Sequence, residues 1–427
     1  MPWEHVVTSA CMQRGIAGEH RNPDSRTWWR RCRAHGESLG EYYAARGENV
    51  FYFLGDFGVR AVYQVPGTVV KTHLPSLTCY EKSPLWFWRF MLWRHARVIR
   101  KLKKKYHIDC SVSYMEEFNY LNALSRCGDR VILRVCTMLS IRPELRGRFY
   151  DHARLGRVYA KADAVAVLGR DGVAEMREVY GVPEEKIVTL HHPNDIEEST
   201  EVPEGGWKYG PHAIICVGRL HPVKQQDRLI RAFRKVVEEL PDAQLLFLGD
   251  GSLDVYLQGL CRMYRLEDHV HFLGYARNVR FYMSRARIFT MTSFCEGFPL
   301  VMAEAISCGT PVVATESQGG IHEILGYYEE PKPVPGWGEV LQKKGIQTLP
   351  YGIMAPRLTP VHHRVADSLD DEENVLAEAL LFLLTHDEAH RWYSMRARER
   401  SADFQPERVM KIWNGLIYGK QRNEEDR

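Results

Sequence analysis

From about residue 212 onward, short uninterrupted apolar runs alternate with stretches of helical periodicity. The runs are AIICVG (213–218), AQLLFLG (243–249), HVHFLG (269–274), RIFTMT (287–292) and TPVVAT (310–315). Between them lie stretches such as QDRLIRAFRKVVEEL, in which apolar residues recur at helical spacing. Strands that are apolar on both faces must be covered on both faces, so this alternation indicates a parallel sheet flanked by helices. We therefore predict a Rossmann-like α/β domain in the second half of the chain.

The first half of the chain repeats this pattern with less regularity. Its apolar runs are HVVTSA (5–10), NVFYFL (49–54), CSVSYM (110–115), RVILRV (130–135), AVAVLG (164–169) and KIVTLHH (186–192). The chain has 427 residues, which exceeds what one hydrophobic core usually serves. Residues 191–211 are rich in Pro, Gly and acidic residues, as is typical of a linker. We expect two α/β domains, over residues 1–200 and 208–398, with a ligand cleft between them.

The composition narrows the class of protein and its setting. The apolar fraction of 45%, the charged fraction of 26% and the net charge of +3 are those of an ordinary globular protein. Ten cysteines without paired spacing indicate reduced thiols and a cytoplasmic protein. The start MPWEHVVTSAC does not predict a signal peptide. Since no uncharged run reaches the roughly 18 residues of a spanning helix, we expect at most a peripheral location on the inner face of a membrane.

Two cations follow the first strand of the second domain. In VGRLHPVKQ, Arg219 and Lys224 lie close behind Gly218, between a strand and a helix. Fixed cations at the carboxyl end of a strand suit a diphosphate, since Arg forms forked hydrogen bonds and Lys supplies a point charge. The alternative is a surface Arg and Lys near a helix start. The strand end LGDGSL, with Gly249, is a weak signal by itself and is more often just a turn.

Two glutamates surround a Gly-Phe-Pro turn in SFCEGFPLVMAEA. Glu296 lies in the loop after a strand, and Pro299 stands where a first helical residue is expected. The backbone amides there, at the positive end of the helix dipole, would form a site for an anion or a hydroxyl group. Glu304 would project from the helix toward the same place. The alternative is that Glu296 caps the helix and Glu304 is solvated.

These segments together resemble the retaining, nucleotide-sugar-dependent glycosyltransferases of family 4. GRLHPVKQQDRLIRAF is similar to that family's phosphate-binding segment, SFCEGFPLVMAEAISCGTPVVAT to its Glu-x7-Glu motif, and QGGIHEIL to its next loop. The likeness covers the second domain and continues more weakly into residues 160–195. The resemblance implies the GT-B fold, an α/β fold of two Rossmann-like domains that face each other across a cleft. It also implies that residues 399–427 return to the first domain as a C-terminal helix.

The resemblance assigns roles to individual residues. Arg219 and Lys224 would bind the donor diphosphate and stabilise it as it leaves, and Glu304 would bind the ribose. Glu296 would contact the transferred sugar, and these three groups (Arg219, Lys224 and Glu296) are the predicted catalytic residues. The predicted donor-binding residues are Gly218, Arg219, Lys224, Gly249, Leu273, Glu296, Gly297, Phe298, Pro299, Leu300 and Glu304. Because fixed cations can replace a metal and no Asp-x-Asp pair is present, we expect neither a metal nor another cofactor.

The first domain departs from the family pattern. Family members often carry a histidine after the strand that here reads RVILRVCTMLSIRPE, so Ser140, Arg142 or another residue would have to substitute. The usual glycine-rich loop after the first strand is reduced to Gly15 and Gly18. Residues 326–350 are similar to an insertion to which the sequence assigns no role. These departures leave the acceptor contacts open.

The stretch PLWFWRFMLWRHARVIRKLKKKYH (84–107) has two interpretations. Apolar residues recur along one side of a predicted helix, and eight Arg and Lys lie between residues 89 and 105. Such a helix could lie on an anionic membrane surface, with aromatic rings among the headgroups. Alternatively, it is a domain helix with an apolar face packed inward and a solvated basic face. We expect no nucleic acid partner, since no recognised binding motif accompanies the basic residues.

The sequence therefore predicts a metal-independent glycosyltransferase of the hexosyltransferase type. Its partners would be a nucleotide-sugar donor, with UDP favoured over GDP, and a glycan or lipid-linked acceptor, in polysaccharide or glycolipid biosynthesis. Two alternatives stay open. One is a nucleotide-sugar epimerase of the same fold, which would need a base acting on the sugar ring. The other is a catalytically inactive GT-B-like binding module, which would have no need of all four groups Arg219, Lys224, Glu296 and Glu304.

Overall fold

The structure is a computed structural model, and it divides the chain into two compact units. One unit comprises Met1–His192 with Val409–Arg427, and the other comprises Pro193–Arg408. Each unit contains a seven-stranded sheet. The structure describes residues 5–9, 39–55, 66–140, 149, 151–192, 206–276, 278–317, 319–330, 334–359 and 367–419.

The first unit has a fully parallel sheet with the strand order β3-β2-β1-β4-β5-β6-β7. The strands are β1 (His5–Ser9), β2 (Asn49–Leu54), β3 (Thr68–Lys71), β4 (Cys110–Tyr114), β5 (Arg130–Arg134), β6 (Ala164–Val167) and β7 (Ile187–Thr189). The helices are α1 (Leu85–Lys105), α2 (Glu116–Leu124), α3 (His152–Tyr159) and α4 (Arg170–Ala174). All six strands predicted from the sequence are present. The additional strand β3 lies at the edge and exposes three of its four residues, so its sequence carries little apolar signal.

The second unit follows the same topology. Its order is β10-β9-β8-β11-β12-β14-β13, and only the β13–β14 pair is antiparallel among its described strand pairs. The strands are β8 (Ala213–Val217), β9 (Gln244–Leu248), β10 (Val270–Phe272), β11 (Ile288–Met291), β12 (Val312–Thr315), β13 (Gln347–Leu349) and β14 (Gly352–Ala355). The helices are α5 (Gln226–Glu239), α6 (Asp254–Tyr264), α7 (Val279–Met283), α8 (Leu300–Ser307), α9 (Gly320–Leu325), α10 (Gly338–Lys343), α11 (Asp371–Thr385) and α12 (Asp387–Ser401).

The prediction of two Rossmann-like domains is confirmed, with one addition to the second sheet. The order β10-β9-β8-β11-β12-β14 corresponds to the doubly wound order 3-2-1-4-5-6. The sequence did not predict β13 and β14. The segment 326–350, which resembles an insertion, contributes α10 and β13, so part of it forms the antiparallel edge of the sheet.

The core of the second unit lies where α5 and α11 pack with the central strands. Ile214, Ile288 and Val313 from the strands belong to the same fully buried cluster as Phe233 of α5 and Leu380 of α11. Burial of such side chains contributes on the order of 1.5–3 kcal/mol each, which makes this cluster the main source of stability of the unit.

A buried ionic network joins the same two helices. The Glu373 carboxylate, which is fully buried, accepts hydrogen bonds from Arg228 Nε at 2.5 Å and from Arg231 Nε at 2.8 Å. Glu373 also closes a capping box with Asp370 at the start of α11. The network therefore fixes the start of α11 against α5, the helix that begins two residues after Lys224.

The last helix, α13 (Pro406–Tyr418), packs in the first unit. Its residues Val409, Trp413 and Ile417 are buried in one cluster with strand residues of that unit. Asn414 accepts a hydrogen bond from the Tyr43 hydroxyl at 2.9 Å. The chain passes from the second unit to the first within this helix, between Arg408 and Val409.

In the part of the chain that the structure describes, no helix combines the length and the apolar character that crossing a bilayer requires.

Candidate active site

The candidate site lies at the topological switch point of the second sheet. Strand β8 is the central strand from which the chain first winds toward β9 and β10 and then toward β11 and β12. Ligands of doubly wound sheets bind in the crevice outside the carboxyl ends of the two strands at such a point, here β8 and β11. The loop after β8 carries Arg219 and Lys224, and the loop after β11 carries Glu296. Topology alone therefore brings the three predicted catalytic residues to one edge of the sheet.

Glycines let the loops after β8 and β9 approach each other closely. Gly249 has φ +137°, and a Cβ atom at this position would lie 2.0 Å from the carbonyl oxygen of Gly218. Two hydrogen bonds join the loops, from Gly218 N to Leu248 O and from Leu220 N to Asp250 O, each at 2.9 Å. Gly249 is thus required by backbone packing beneath the site, which gives a physical reason for the glycine-rich strand end.

Hydrogen bonds also fasten the loop after β8 to the loop after β11. Thr292 Oγ1 donates to the carbonyl oxygen of Lys224 at 2.8 Å. The amide of Phe294 donates to the carbonyl oxygen of Val223, also at 2.8 Å. Lys224 ends a short 3-10 turn (Pro222–Lys224), and Gln225 then takes the left-handed conformation with φ 49°. This sharp turn separates the lysine from α5 and aims it back along the sheet edge.

Lys224 and Glu296 form an ion pair. Lys224 Nζ donates to Glu296 Oε1, and the two side chains are only 14% and 12% exposed. Partial burial strengthens the attraction between the two charges, since solvent screens them less. The sequence predicted the two residues as separate contacts of a phosphate and a sugar. The structure adds that they also hold each other in place.

The loop that carries Glu296 is packed on two consecutive glycines. Gly320 N donates to Gly297 O at 2.8 Å. A Cβ atom on Gly319 would lie 1.9 Å from the carbonyl oxygen of Glu296, and one on Gly320 would lie 2.7 Å from the Cα atom of Phe298. The glycine pair of QGGIHEIL therefore allows this loop to lie directly on the start of α9.

The structure shifts Pro299 by one position from its predicted place. Helix α8 begins at Leu300, and Pro299 (φ −76°, ψ 88°) directly precedes it instead of forming its first residue. The carbonyl oxygen of Pro299 accepts the amide of Met302 at 2.9 Å, so the proline still serves as the starting acceptor of the helix. The prediction of Pro299 as the first helical residue was wrong, but its place at the helix start was right.

The other predicted donor-binding residues lie around the same sheet edge. Arg219 follows Gly218, and its carbonyl oxygen accepts a hydrogen bond from Gln226 Nε2 at 2.7 Å. Leu273 follows β10, and its amide donates to Phe247 O at 2.9 Å. Glu304 lies in the second turn of α8 and is half-buried between two fully buried alanines. Glu304 is therefore only partly exposed to solvent.

Arg357 is a residue of the site that the sequence did not predict. It follows β14, and its Nη2 atom donates to the carbonyl oxygen of Phe294 at 3.3 Å. Its guanidinium carbon also lies 4.2 Å from the centroid of the Phe294 ring. Arg357 thus holds the segment immediately before Glu296. Its distance of 63 positions along the chain from Phe294 left no local pattern from which to predict the contact.

Of the first-domain residues that could substitute for the family histidine, the structure describes Ser140. Arg142, Gly15 and Gly18 lie outside the described residues. The backbone amide of Ser140 donates to Glu175 Oε1 at 2.6 Å, and that of Leu139 donates to Glu175 Oε2 at 3.1 Å. Burial raises the pKa of the Glu175 carboxyl above its ordinary value. Glu175 therefore anchors the turn after β5, which the sequence did not predict.

Within the described ranges, no group of three or more His, Cys, Asp or Glu side chains is arranged to hold a metal ion.

Comparison with known proteins finds a family similar to part of the second unit. Residues 198–334 match the family model of the glycosyl transferases group 1. This segment contains Arg219, Lys224, Glu296 and Glu304. Over this segment the chain is therefore similar to the glycosyl transferases group 1.

Two relatives illustrate the similarity. An uncharacterized glycosyltransferase of Methanocaldococcus jannaschii is 33% identical over 209 residues, which cover 48% of this chain and 49% of that protein. The N-acetylgalactosamine-N,N'-diacetylbacillosaminyl-diphospho-undecaprenol 4-alpha-N-acetylgalactosaminyltransferase of Campylobacter jejuni is 26% identical over 233 residues, which cover 53% and 63%. The chain thus spans less than two thirds of the length of each of these relatives.

Solved structures share the fold over nearly the whole chain. Sucrose-phosphate synthase from Thermosynechococcus elongatus has a TM-score of 0.68 at 17% identity, and the match covers 97% of this chain and 98% of that one. HepE of Anabaena, in a complex with UDP and glucose, has a TM-score of 0.61 at 15% identity and coverage of 98% and 100%. At these identities the likeness establishes the fold.

Proposed function

We propose that this protein is a glycosyltransferase that moves a sugar from a nucleotide diphosphate sugar to a hydroxyl group, with retention of configuration. The observation that carries the proposal is the Lys224–Glu296 ion pair at the switch point of the sheet. It lies inside the segment that matches the group 1 glycosyltransferases. Retention of configuration is inferred from the resemblance of the motifs to those of family 4.

The charges of the site suit cleavage of a sugar–diphosphate bond. As the bond breaks, negative charge grows on the leaving phosphate and positive charge grows on the sugar ring. Arg219 and Lys224 would stabilise the phosphate, and Glu296 would face the sugar. Since the ion pair holds Lys224 and Glu296 in a fixed arrangement, little reorganisation is needed when the donor binds. With this cationic side in place, the proposed reaction needs no metal ion.

The donor is proposed to be a UDP-sugar, with a GDP-sugar as the second choice. HepE of Anabaena and the pneumococcal O-GlcNAc transferase GtfA share the fold, and both structures hold UDP. Glu304 on α8 would bind the ribose hydroxyls. The loop of Leu273 after β10 would border the base.

The acceptor is proposed to be a glycan or a lipid-linked saccharide, and the pathway the synthesis of a polysaccharide or glycolipid. The Campylobacter jejuni relative is named for transfer to a diphospho-undecaprenol-linked saccharide. A cytoplasmic setting, expected from the cysteine pattern, accompanies this proposal.

Product analysis tests the proposal and separates it from the two alternatives. The purified protein would be incubated with UDP-glucose, UDP-galactose, UDP-N-acetylglucosamine or UDP-N-acetylgalactosamine in the presence of EDTA, and products would be followed by NMR. Slow release of UDP, with the sugar configuration preserved at the ring carbons other than C1, is expected of a transferase that uses water as a poor acceptor. With an alcohol as acceptor, the glycoside formed should keep the configuration that the donor has at C1. A changed configuration at a ring carbon other than C1 would indicate the epimerase, and donor binding without any turnover would indicate the inactive module.

The Glu296→Gln variant gives the matching prediction for the catalytic role. The neutral amide keeps a hydrogen bond to the sugar but loses the charge, so we expect UDP release to fall at least about 100-fold while donor affinity changes only a few-fold. Glu267→Gln, at an exposed position on the loop after α6, is the control and should leave both unchanged. Unchanged turnover in Glu296→Gln would remove Glu296 from the mechanism.

A further inference from the structure

Helix α1 of the first unit has a buried face formed by four of its twelve apolar residues. Trp88, Met91, Leu92 and Ala96 are buried in the core of that unit. This face agrees with the interpretation of residues 84–107 as a domain helix. It does not account for the remaining large side chains of the helix.

The opposite face begins with an exposed aromatic patch, formed by Trp86, Phe90 and Trp93. Their side chains are 71%, 51% and 56% exposed. Spacings of four and three residues place them on one side of the helix over its first turns. The rings of Phe90 and Trp93 are stacked, with centroids 6.1 Å apart. Contiguous exposed aromatic rings of this kind mark an interaction surface, whereas apolar residues scattered singly over a surface are normal.

A row of cations continues the same face toward the end of the helix. Arg97, Arg100, Lys101 and Lys104 are all exposed. Lys104 follows Trp86 by 18 residues, or five full turns, so both lie in the same direction from the helix axis. The Arg97 guanidinium carbon lies 5.4 Å from the Trp93 ring centroid, which joins the patch to the row. The helix contains no Asp or Glu to oppose these charges.

Lys103 shows that the cations are sorted between the faces. It is fully buried, and its Nζ donates to Asp129 Oδ2 at 2.7 Å. Burial lowers the pKa of its ammonium group. The structure thus neutralises the one cation that points inward with a carboxylate, while the outward cations face solvent.

We propose that this face of α1 docks on the surface of an anionic lipid bilayer, with the helix lying flat in the interface. Aromatic rings favour the headgroup layer, and Arg and Lys attract anionic headgroups while their aliphatic stems lie on the surface. A bilayer uses both parts of the face along the roughly 30 Å length of the helix. A nucleic acid duplex, whose bases are already stacked, would use only the cationic row, and a second copy of this chain would bring like charges together. The proposal does not depend on the transfer activity.

Co-sedimentation with lipid vesicles tests the proposal on the full chain. The wild-type protein is expected to bind vesicles of phosphatidylcholine with 30% phosphatidylglycerol, and to bind pure phosphatidylcholine vesicles far more weakly. Raising the NaCl concentration from 0.1 M to 0.5 M should reduce binding, because salt shortens the range of the attraction.

Two double variants separate the aromatic from the cationic contribution. Arg100→Ser with Lys104→Ser is expected to lower the partition coefficient roughly tenfold or more, and Trp86→Ser with Trp93→Ser by a similar factor. The control is Tyr256→Ser with Met263→Ser, since these residues are 48% and 55% exposed on α6 of the second unit. Circular dichroism should show all three variants folded, because every changed side chain is exposed.

Several results would overturn the proposal. One is that the folded wild-type protein does not bind anionic vesicles. Another is that the control and both α1 variants bind these vesicles equally well. Dimers in sedimentation velocity that are lost on removal of Trp86 and Trp93 would reassign the face to a second copy. Tighter binding to RNA than to anionic vesicles, lost in the cation variant, would reassign it to nucleic acid.

Discussion

At the scale of single residues, the candidate site is defined by how two charges meet. Lys224 and Glu296 lie 72 positions apart in sequence and form a mostly buried pair. Neither charge is isolated in an apolar environment, which would be costly. The pair therefore explains how the carboxylate of Glu296 is held in one orientation within an otherwise apolar stretch.

Gly249 offers a residue-scale prediction about the support beneath the site. Its positive φ and the 2.0 Å approach to Gly218 O leave no room for a side chain, so we expect Gly249→Ala to cost about 2–3 kcal/mol of unfolding free energy. The loss would be measured by urea denaturation.

Gly259 is a matched control with the opposite expected sign. It lies in α6, and a Cβ atom there would meet only the Arg262 side chain at 3.9 Å. Gly259→Ala should therefore raise stability by roughly 0.5–1 kcal/mol. Equal effects of the two substitutions would contradict the assigned backbone requirement at Gly249.

At the scale of elements, the position of α5 depends on its ionic contact with α11. Arg228 and Arg231 both donate to Glu373, and all three side chains are buried. Removal of the shared carboxylate leaves two buried guanidinium groups with reduced compensation. Helix α5 starts two residues after Lys224, so the packing of this helix supports the geometry of the site.

Substitutions on α11 test this account. We expect Glu373→Gln to lower the unfolding free energy by about 3–5 kcal/mol, as is typical when one partner of a buried ion pair is removed. Glu378 on the same helix is a third exposed and pairs with Lys235 at 3.5 Å and Lys344 at 3.1 Å. Glu378→Gln should cost no more than about 1 kcal/mol, because solvent screens its ion pairs. A similar loss in both variants, measured by urea denaturation, would show that the buried network has no special role.

At the scale of the whole molecule, the strand and helix pattern was predictable because the central strands are apolar on both faces. Apolar runs such as AIICVG and RIFTMT, which lie between stretches of helical periodicity, can be recognised without tertiary information. Eleven predicted strands coincide with observed strands. The edge strands β3 and β13 were not predictable, because they are short and partly exposed.

The site was predictable in its residue types and its place, but not in its contacts. Motif spacing indicated Arg219, Lys224, Glu296 and Glu304, whereas the Lys224–Glu296 pair and the support by Arg357 depend on which loops the sheet order brings together. Periodicity likewise could not predict which aromatic residues of α1 are exposed, because both faces of this helix carry aromatic residues.

The most direct test of the central claim is thermal stabilisation by a panel of UDP, GDP, ADP and their sugars, in the presence of EDTA. A ligand that binds the folded state raises the melting temperature by mass action, and saturation at about 100 times Kd corresponds to roughly 2.7 kcal/mol. We predict a shift with one nucleotide family that is lost in Lys224→Ala and kept in Lys343→Ala, a control at an exposed position on α10. No shift with any nucleotide, or an undiminished shift in Lys224→Ala, would contradict the assignment of this sheet edge as the donor site.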